Sequence, residues 1–167
     1  NIESLAINQK FIINKSIQHA KPVIVATEML DNMITNSYPT KAEVLDISNS
    51  ILDGATATML SGETAVGKYP VEAIRVMSNI SNSSIKFKDN LQPDINHKND
   101  SDVYGTAKAI RNICLSLPVT KIIAITVSGF AARIISSQLL FQPIIAITNN
   151  KETARLTNLF AGTKGVY

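Results

Sequence analysis

Short runs of consecutive apolar residues alternate along this chain with longer stretches in which apolar positions recur every three or four residues. Leu5 to Gln18 reads as an opening helix. Pro22 to Thr27 is a continuous apolar run, the pattern of a parallel strand buried on both faces, and Ala55 to Ser61 is a second. Between them, Thr40-Lys41-Ala42-Glu43 fits a capping box, in which the hydroxyl and the carboxylate satisfy backbone donors at a helix start. Val44, Ile47, Ile51 and Leu52 supply the apolar stripe of that helix, and Gly54 suits its left-handed end. Pro70 opens another helix through Ala73, Ile74, Met77 and Ile80.

The pattern breaks around residues 82–101, where Ser, Asn, Asp, Lys and Pro gather and predict a linker or long loop. Beyond it, Asp102 is placed to cap a helix from Val103 to Leu117. Strand Lys121 to Val127, helix Ala131 to Leu140, strand Pro143 to Thr148 and helix Lys151 to Phe160 follow. Strands separated by helices pair in parallel, through right-handed crossovers, so both halves belong to the α/β class, as a βα barrel or a doubly wound sheet. No internal repeat is evident.

Composition narrows the function classes. With 45% apolar and 17% charged residues the chain suits a globular core, and no apolar run approaches the roughly 20 residues of a membrane span. Polar Asn8, Gln9, Lys10 and Asn14 interrupt the start where a secretory leader is apolar, which favours an intracellular protein. Cys114 is the single cysteine and sits on an apolar helix face, the setting of an inert buried thiol. His19 and His97 lack ligand-spaced neighbours, so a zinc site is not expected. A net charge of +3 is too small to argue for nucleic acid, but its distribution is uneven: residues 1–84 carry −2 and residues 85–167 carry +5. That skew suits an anionic ligand or an ordinary solvated surface.

In parallel α/β folds, ligands meet the carboxyl ends of strands. Four such ends are legible: Thr27-Glu28, Ser61-Gly62-Glu63-Thr64, Thr126-Val127-Ser128-Gly129 and Thr148-Asn149-Asn150. The second joins a hydroxyl, a glycine and a carboxylate that could pass a proton or hold a water, and it is equally a Ser/Thr-rich loop that caps itself. The third leads into a helix carrying Arg133 and could cradle a phosphate, although it matches neither a P-loop nor a dinucleotide fingerprint. Lys151 and Arg155 could add charge near these ends or simply face solvent.

Taken in order, Lys21-Pro22-Val23-Ile24-Val25-Ala26-Thr27-Glu28-Met29-Leu30, Pro39-Thr40-Lys41-Ala42-Glu43, Leu52-Asp53-Gly54, Met59-Leu60-Ser61-Gly62-Glu63-Thr64-Ala65 and Gly67-Lys68-Tyr69-Pro70-Val71-Glu72-Ala73 resemble the pyruvate kinase family. More loosely, Thr126-Val127-Ser128-Gly129, Ala132-Arg133, Pro143 to Thr148 and Thr153-Ala154-Arg155 are similar to its C-terminal domain. The resemblance implies a fragment. Residues 1–84 would be the last two βα units of a TIM (β/α)8 barrel, 85–101 a linker, and 102–167 part of a three-layer α/β regulatory domain, both domains incomplete. It implies a whole enzyme of glycolysis that is cytoplasmic, allosteric and homotetrameric, and that transfers the phosphoryl group of phosphoenolpyruvate to ADP, giving pyruvate and ATP. Mg²⁺ and K⁺ would be cofactors, their ligands lying upstream of this chain, so that the isolated 167 residues are inactive. By resemblance Thr27 helps deliver the enolate proton, with Ser61 and Glu63 in the relay behind it. Thr126, Ser128 and Gly129 match the loop for the phosphate of a sugar-phosphate or nucleotide effector. No nucleic acid and no membrane are expected as partners.

Departures from the family pattern also register. Glu28 stands where Gln is usual, Lys41 replaces Arg, Tyr38 replaces a basic residue, Phe130 and Ala131 follow the Ser-Gly, and Leu139-Leu140 occupy the place of Arg-Pro. Losing a guanidinium near a phosphate loop removes a bidentate donor. The competing readings are a non-catalytic phosphate-sensing α/β module and a structural remnant without a ligand. An incomplete barrel should also leave apolar helix faces and strand edges uncovered.

Overall fold

The computed structural model of this protein describes residues 2–88 and 102–167. Its elements run α1 (Leu5–Gln18), β1 (Ile24–Ala26), α2 (Lys41–Asp53), β2 (Ala57–Met59), α3 (Gly62–Ala65), α4 (Pro70–Lys88), α5 (Asp102–Ser116), β3 (Ile122–Ile125), α6 (Phe130–Ser136), β4 (Ile144–Ile147), α7 (Lys151–Thr157) and β5 (Thr163–Val166). They form two compact units: Val23–Gln92, and Asn1–Pro22 with Pro93–Tyr167.

In the Val23–Gln92 unit, β1 and β2 pair in parallel with Ile24 opposite Ala57 and Ala26 opposite Met59. The capping box forms as the spacing predicts. Thr40 Oγ1 accepts the Glu43 N–H at 3.2 Å, Glu43 Oε2 accepts the Thr40 N–H at 2.6 Å, and Gly54 ends α2 with φ of 105°. Met29, Leu30, Met33, Ile47, Ala73 and Met77 make the core, with Val25, Ile51, Leu60, Val76 and Ile80 against it. Each such Leu, Ile or Met side chain contributes about 1.5–3 kcal/mol by leaving water. Burial of β1 on both faces is not observed: Val25 packs on this core, whereas Ile24 on the other face stays 51% exposed.

Helix α4 corrects the reading of residues 85–101 as linker, because it continues to Lys88. Its polar run needs no loop to satisfy it. Ser81 donates its hydroxyl to the Met77 carbonyl at 2.7 Å, one turn back, a bond that lets serine sit within a helix. The remainder of that expected linker, residues 89–101, lies outside the described residues.

In the other unit, β3, β4 and β5 form one parallel sheet in that order. Alternation along β3 and β4 sends Ile122, Ala124, Ile144 and Ala146 to a face packed with Cys114 of α5, Ala132 and Ile135 of α6, and Phe160. On the opposite face Ile123 and Ile125 are 64% and 82% exposed, so two of the three expected layers fall within the described residues. The apolar pattern gives no sign of strand β5, because Lys164-Gly165 breaks its run. Gly165 is obligatory there, since an added Cβ would stand 1.8 Å from the Ala154 carbonyl oxygen of α7. Both short helices stop earlier than their apolar patterns suggest. Helix α6 ends at Ser136, ahead of Leu139 at φ of 49°, and α7 ends at Thr157, where the Asn158 side-chain amide turns back onto the Ala154 carbonyl at 2.9 Å. Helix α1 buries Ile13, while Leu5, Ile7 and Phe11 stay about two-thirds exposed.

Candidate active site

Parallel pairing of β1 and β2 brings their carboxyl ends side by side, and the register sets Thr27 and Ser61 on that shared edge. The chain leaves β1 through two consecutive residues in the left-handed region, Thr27 at φ of 73° and Glu28 at 53°. For a β-branched residue this is a conformational outlier, of a kind that costs about 1–3 kcal/mol and persists only where its surroundings enforce it. Nothing in the sequence signals it, since strained turns are ordinarily marked by glycine or asparagine. Thr27 is exposed, and its hydroxyl donates to the carbonyl of Ala26 at 2.6 Å. Met29 and Leu30, immediately after, are buried and anchor the turn.

Ser61 occupies the N-terminal flank of α3, but its side chain makes no capping bond, so the self-capping alternative does not hold for this hydroxyl. Its carbonyl accepts from the Thr64 and Ala65 N–H groups, which fixes the backbone and leaves the exposed side chain outward. Glu63 is 2% exposed. Its Oε1 accepts the Leu30 N–H at 3.0 Å and its Oε2 the Ser61 N–H at 2.7 Å, so one carboxylate brackets both strand ends. Burial is the largest single influence on this group and pushes its pKa up. The N–H groups of Leu30, Ser61 and Glu63 itself together outweigh burial and hold it below the ordinary 4.5. The group is therefore ionised near neutrality, an acceptor without a proton to donate. Gly67 closes against it, since a Cβ there would lie 2.4 Å from the Glu63 carbonyl oxygen.

The loop after β3 is built differently. Thr126 is buried, and its hydroxyl accepts the Gly129 N–H at 3.0 Å, so that oxygen braces the loop from within. Gly129 has φ of 80°, and a Cβ there would meet Thr157 Cγ2 at 3.2 Å. Thr153 Oγ1 donates to the Val127 carbonyl at 3.1 Å. Ser128 alone of the three candidates is exposed. Arg133 lies over the Phe130 ring at 5.1 Å, with its Nε buried and lacking a hydrogen-bond partner among the described residues. At the next strand end, Asn150 caps α7 by accepting the Glu152 and Thr153 N–H groups, a structural role. Lys151 stands 5.2 Å from the ring of Tyr167. Cys114 is buried, and burial pushes its thiol pKa up, away from nucleophilic chemistry.

Among the described residues no three His, Cys, Asp or Glu side chains gather as a metal-holding group. Nor is any helix among them long and apolar enough to cross a membrane.

Residues 1–74 match the family model for the pyruvate kinase barrel domain, and residues 105–167 match that for the pyruvate kinase alpha/beta domain. The chain is 41% identical over 164 residues to a pyruvate kinase of Agrobacterium vitis, covering 95% of this chain and 33% of the relative. It is 42% identical over 156 residues to that of Thermotoga maritima, covering 91% and 32%. A crystal structure of a pyruvate kinase from Cryptosporidium parvum superposes with a TM-score of 0.85 at 34% identity, covering 97% of this chain and 34% of that one. The chain thus spans about a third of the length of the curated relatives it matches.

Proposed function

Because this chain belongs to the pyruvate kinase family, we propose that the protein of which it is a segment transfers the phosphoryl group of phosphoenolpyruvate to ADP, and that the paired ends of β1 and β2 serve the proton-transfer half of that reaction. The overall step breaks the P–O bond to the enol oxygen and forms a P–O bond to the terminal phosphate of ADP. The enolate left behind takes one proton at carbon and becomes pyruvate.

The observation that carries the proposal is that the strained Thr27-Glu28 turn and the uncapped hydroxyl of Ser61 fall at the paired carboxyl ends of β1 and β2. Two hydroxyls at one sheet edge can orient a water and pass a proton to a carbanion above them, although neither is by itself an acid near neutrality. Glu63 stands behind this pair as the third member of the relay. Ionised and bonded to the Leu30 and Ser61 backbone, it favours donor arrangements that point toward it and holds both ends in register. Phosphoryl transfer itself rests on positioning and charge neutralisation. Mg²⁺ and K⁺ would supply that neutralisation from ligands outside these 167 residues.

In the second unit the proposal makes Ser128 the outward contact for the phosphate of an effector, with Thr126 and Gly129 shaping the loop beneath it. A cytoplasmic homotetramer completes the reading. The test is pyruvate formation by the full-length protein with phosphoenolpyruvate, ADP, Mg²⁺ and K⁺. Turnover supports the proposal, and a folded full-length protein without turnover overturns it.

A further inference from the structure

The segment from Thr27 to Thr40 is held by two buried carboxylates that arrive from different elements. Glu63, from the start of α3, takes the Leu30 N–H. Glu43, from the first turn of α2, takes the Asn32 N–H on Oε1 at 2.7 Å. Its other oxygen, Oε2, accepts the Thr40 N–H at 2.6 Å and the Thr40 hydroxyl at 2.9 Å. A capping box needs only the second oxygen. The bond to Asn32 instead reaches 11 residues back along the chain, into the middle of the loop. The two bonds use both carboxylate oxygens as acceptors, and the amide of a glutamine, with a single oxygen, cannot reproduce the pair.

These bonds fall just beyond the strained turn. Two successive left-handed residues, one of them β-branched, relax unless the following chain is fixed. Leu30 and Asn32 are fixed by carboxylates, and Met29, Leu30 and Met33 are buried. We infer that Glu43, through its bond to the Asn32 N–H, is a positioning residue that holds Thr27 in its strained, outward-facing conformation. The inference rests on the role proposed above for Thr27.

The experiment compares Glu43→Ala with Thr40→Ala in the full-length protein. Both remove side-chain bonds of the capping box, but only the first releases the Asn32 N–H. Glu43→Ala is expected to lower kcat by about tenfold or more with KM for phosphoenolpyruvate within about twofold, the signature of a displaced reacting group. Thr40→Ala is expected to lower Tm with kcat within about twofold of wild type. A Thr27→Val/Glu43→Ala double variant should turn over no more slowly than Thr27→Val alone, because the carboxylate acts through that threonine. If Glu43→Ala does not accumulate as folded protein, Glu43→Gln serves instead, since its amide leaves one of the two N–H groups unpaired. Equal kcat losses in Glu43→Ala and Thr40→Ala, or multiplicative losses in the double variant, overturn the inference. An inactive wild-type protein overturns the reading of Thr27 beneath it, a separate outcome.

Discussion

The loops after β1 and β3 both begin with a threonine at the carboxyl end of a parallel strand, and the two threonines are used in opposite ways. Thr126 is buried and spends its hydroxyl on the Gly129 N–H, and the left-handed position in its loop falls on a glycine, where it costs little. Thr27 is exposed and itself occupies the left-handed region, with Glu28 following it there. One loop is relaxed and internally satisfied. The other stores strain and is clamped from outside by Glu63 and Glu43. Strain held in place by its surroundings is a mark of functional sites, which is why the proposed catalytic role falls on Thr27, while Ser128, on the relaxed loop, is proposed only as an effector contact.

The sharpest way to break this comparison is Thr27→Val in the full-length protein. Turnover should fall on the order of a hundredfold, with the KM for phosphoenolpyruvate changed by less than about threefold. Unchanged turnover would make the two loops equivalent.

Next comes Glu63→Gln, whose amide oxygen can accept from only one of the two backbone N–H groups, at a cost of about 2 kcal/mol in denaturant unfolding. The same variant should alter the acid response. Since the folded-state pKa of Glu63 lies below the ordinary 4.5, its ionised form favours the fold, and that stability is complete above this value and lost as pH falls through the folded pKa. The wild type should therefore lose stability progressively below about pH 4.5, and Glu63→Gln should flatten that part of the curve. A wild-type profile identical to the variant's would show that the carboxylate is not the bracket.

Thr126→Val should cost about 1 kcal/mol by stranding the Gly129 N–H, without altering turnover measured in the absence of effector. The smallest effect is expected of Ser128→Ala, which should change stability by less than about 0.5 kcal/mol while weakening the apparent affinity for a sugar phosphate about fivefold. If Ser128→Ala destabilised more than Thr126→Val, the division of the loop into brace and outward contact would fail.

Much of the scaffold is legible without coordinates because its signals are local. Thr40 and Glu43 announce a capping box, Gly54 a left-handed helix end, and the apolar runs at Ile24 and Ile122 parallel strands. What escapes is whatever depends on distant partners. Glu43 reads as a cap residue, but its bond to Asn32 appears only once the loop is folded back. Resemblance alone makes Glu63 a member of a proton relay, and its two backbone bonds come from Leu30 on the other strand end and from Ser61. The strain at Thr27 has no sequence signature at all, because a threonine is the wrong residue for that conformation. Polar runs mislead in both directions: Asn82-Ser83-Ser84 lies within α4, and Thr163 to Val166 form a strand.

Exchange of the pyruvate methyl protons with D₂O, catalysed by the full-length protein, isolates the enolate-protonation step from phosphoryl transfer. It therefore tests most directly the claim that Thr27 serves the proton. The account predicts exchange by the wild type that falls on the order of a hundredfold in Thr27→Val, while Ser128→Ala exchanges at the wild-type rate. Exchange by Thr27→Val as fast as by the wild type would contradict it.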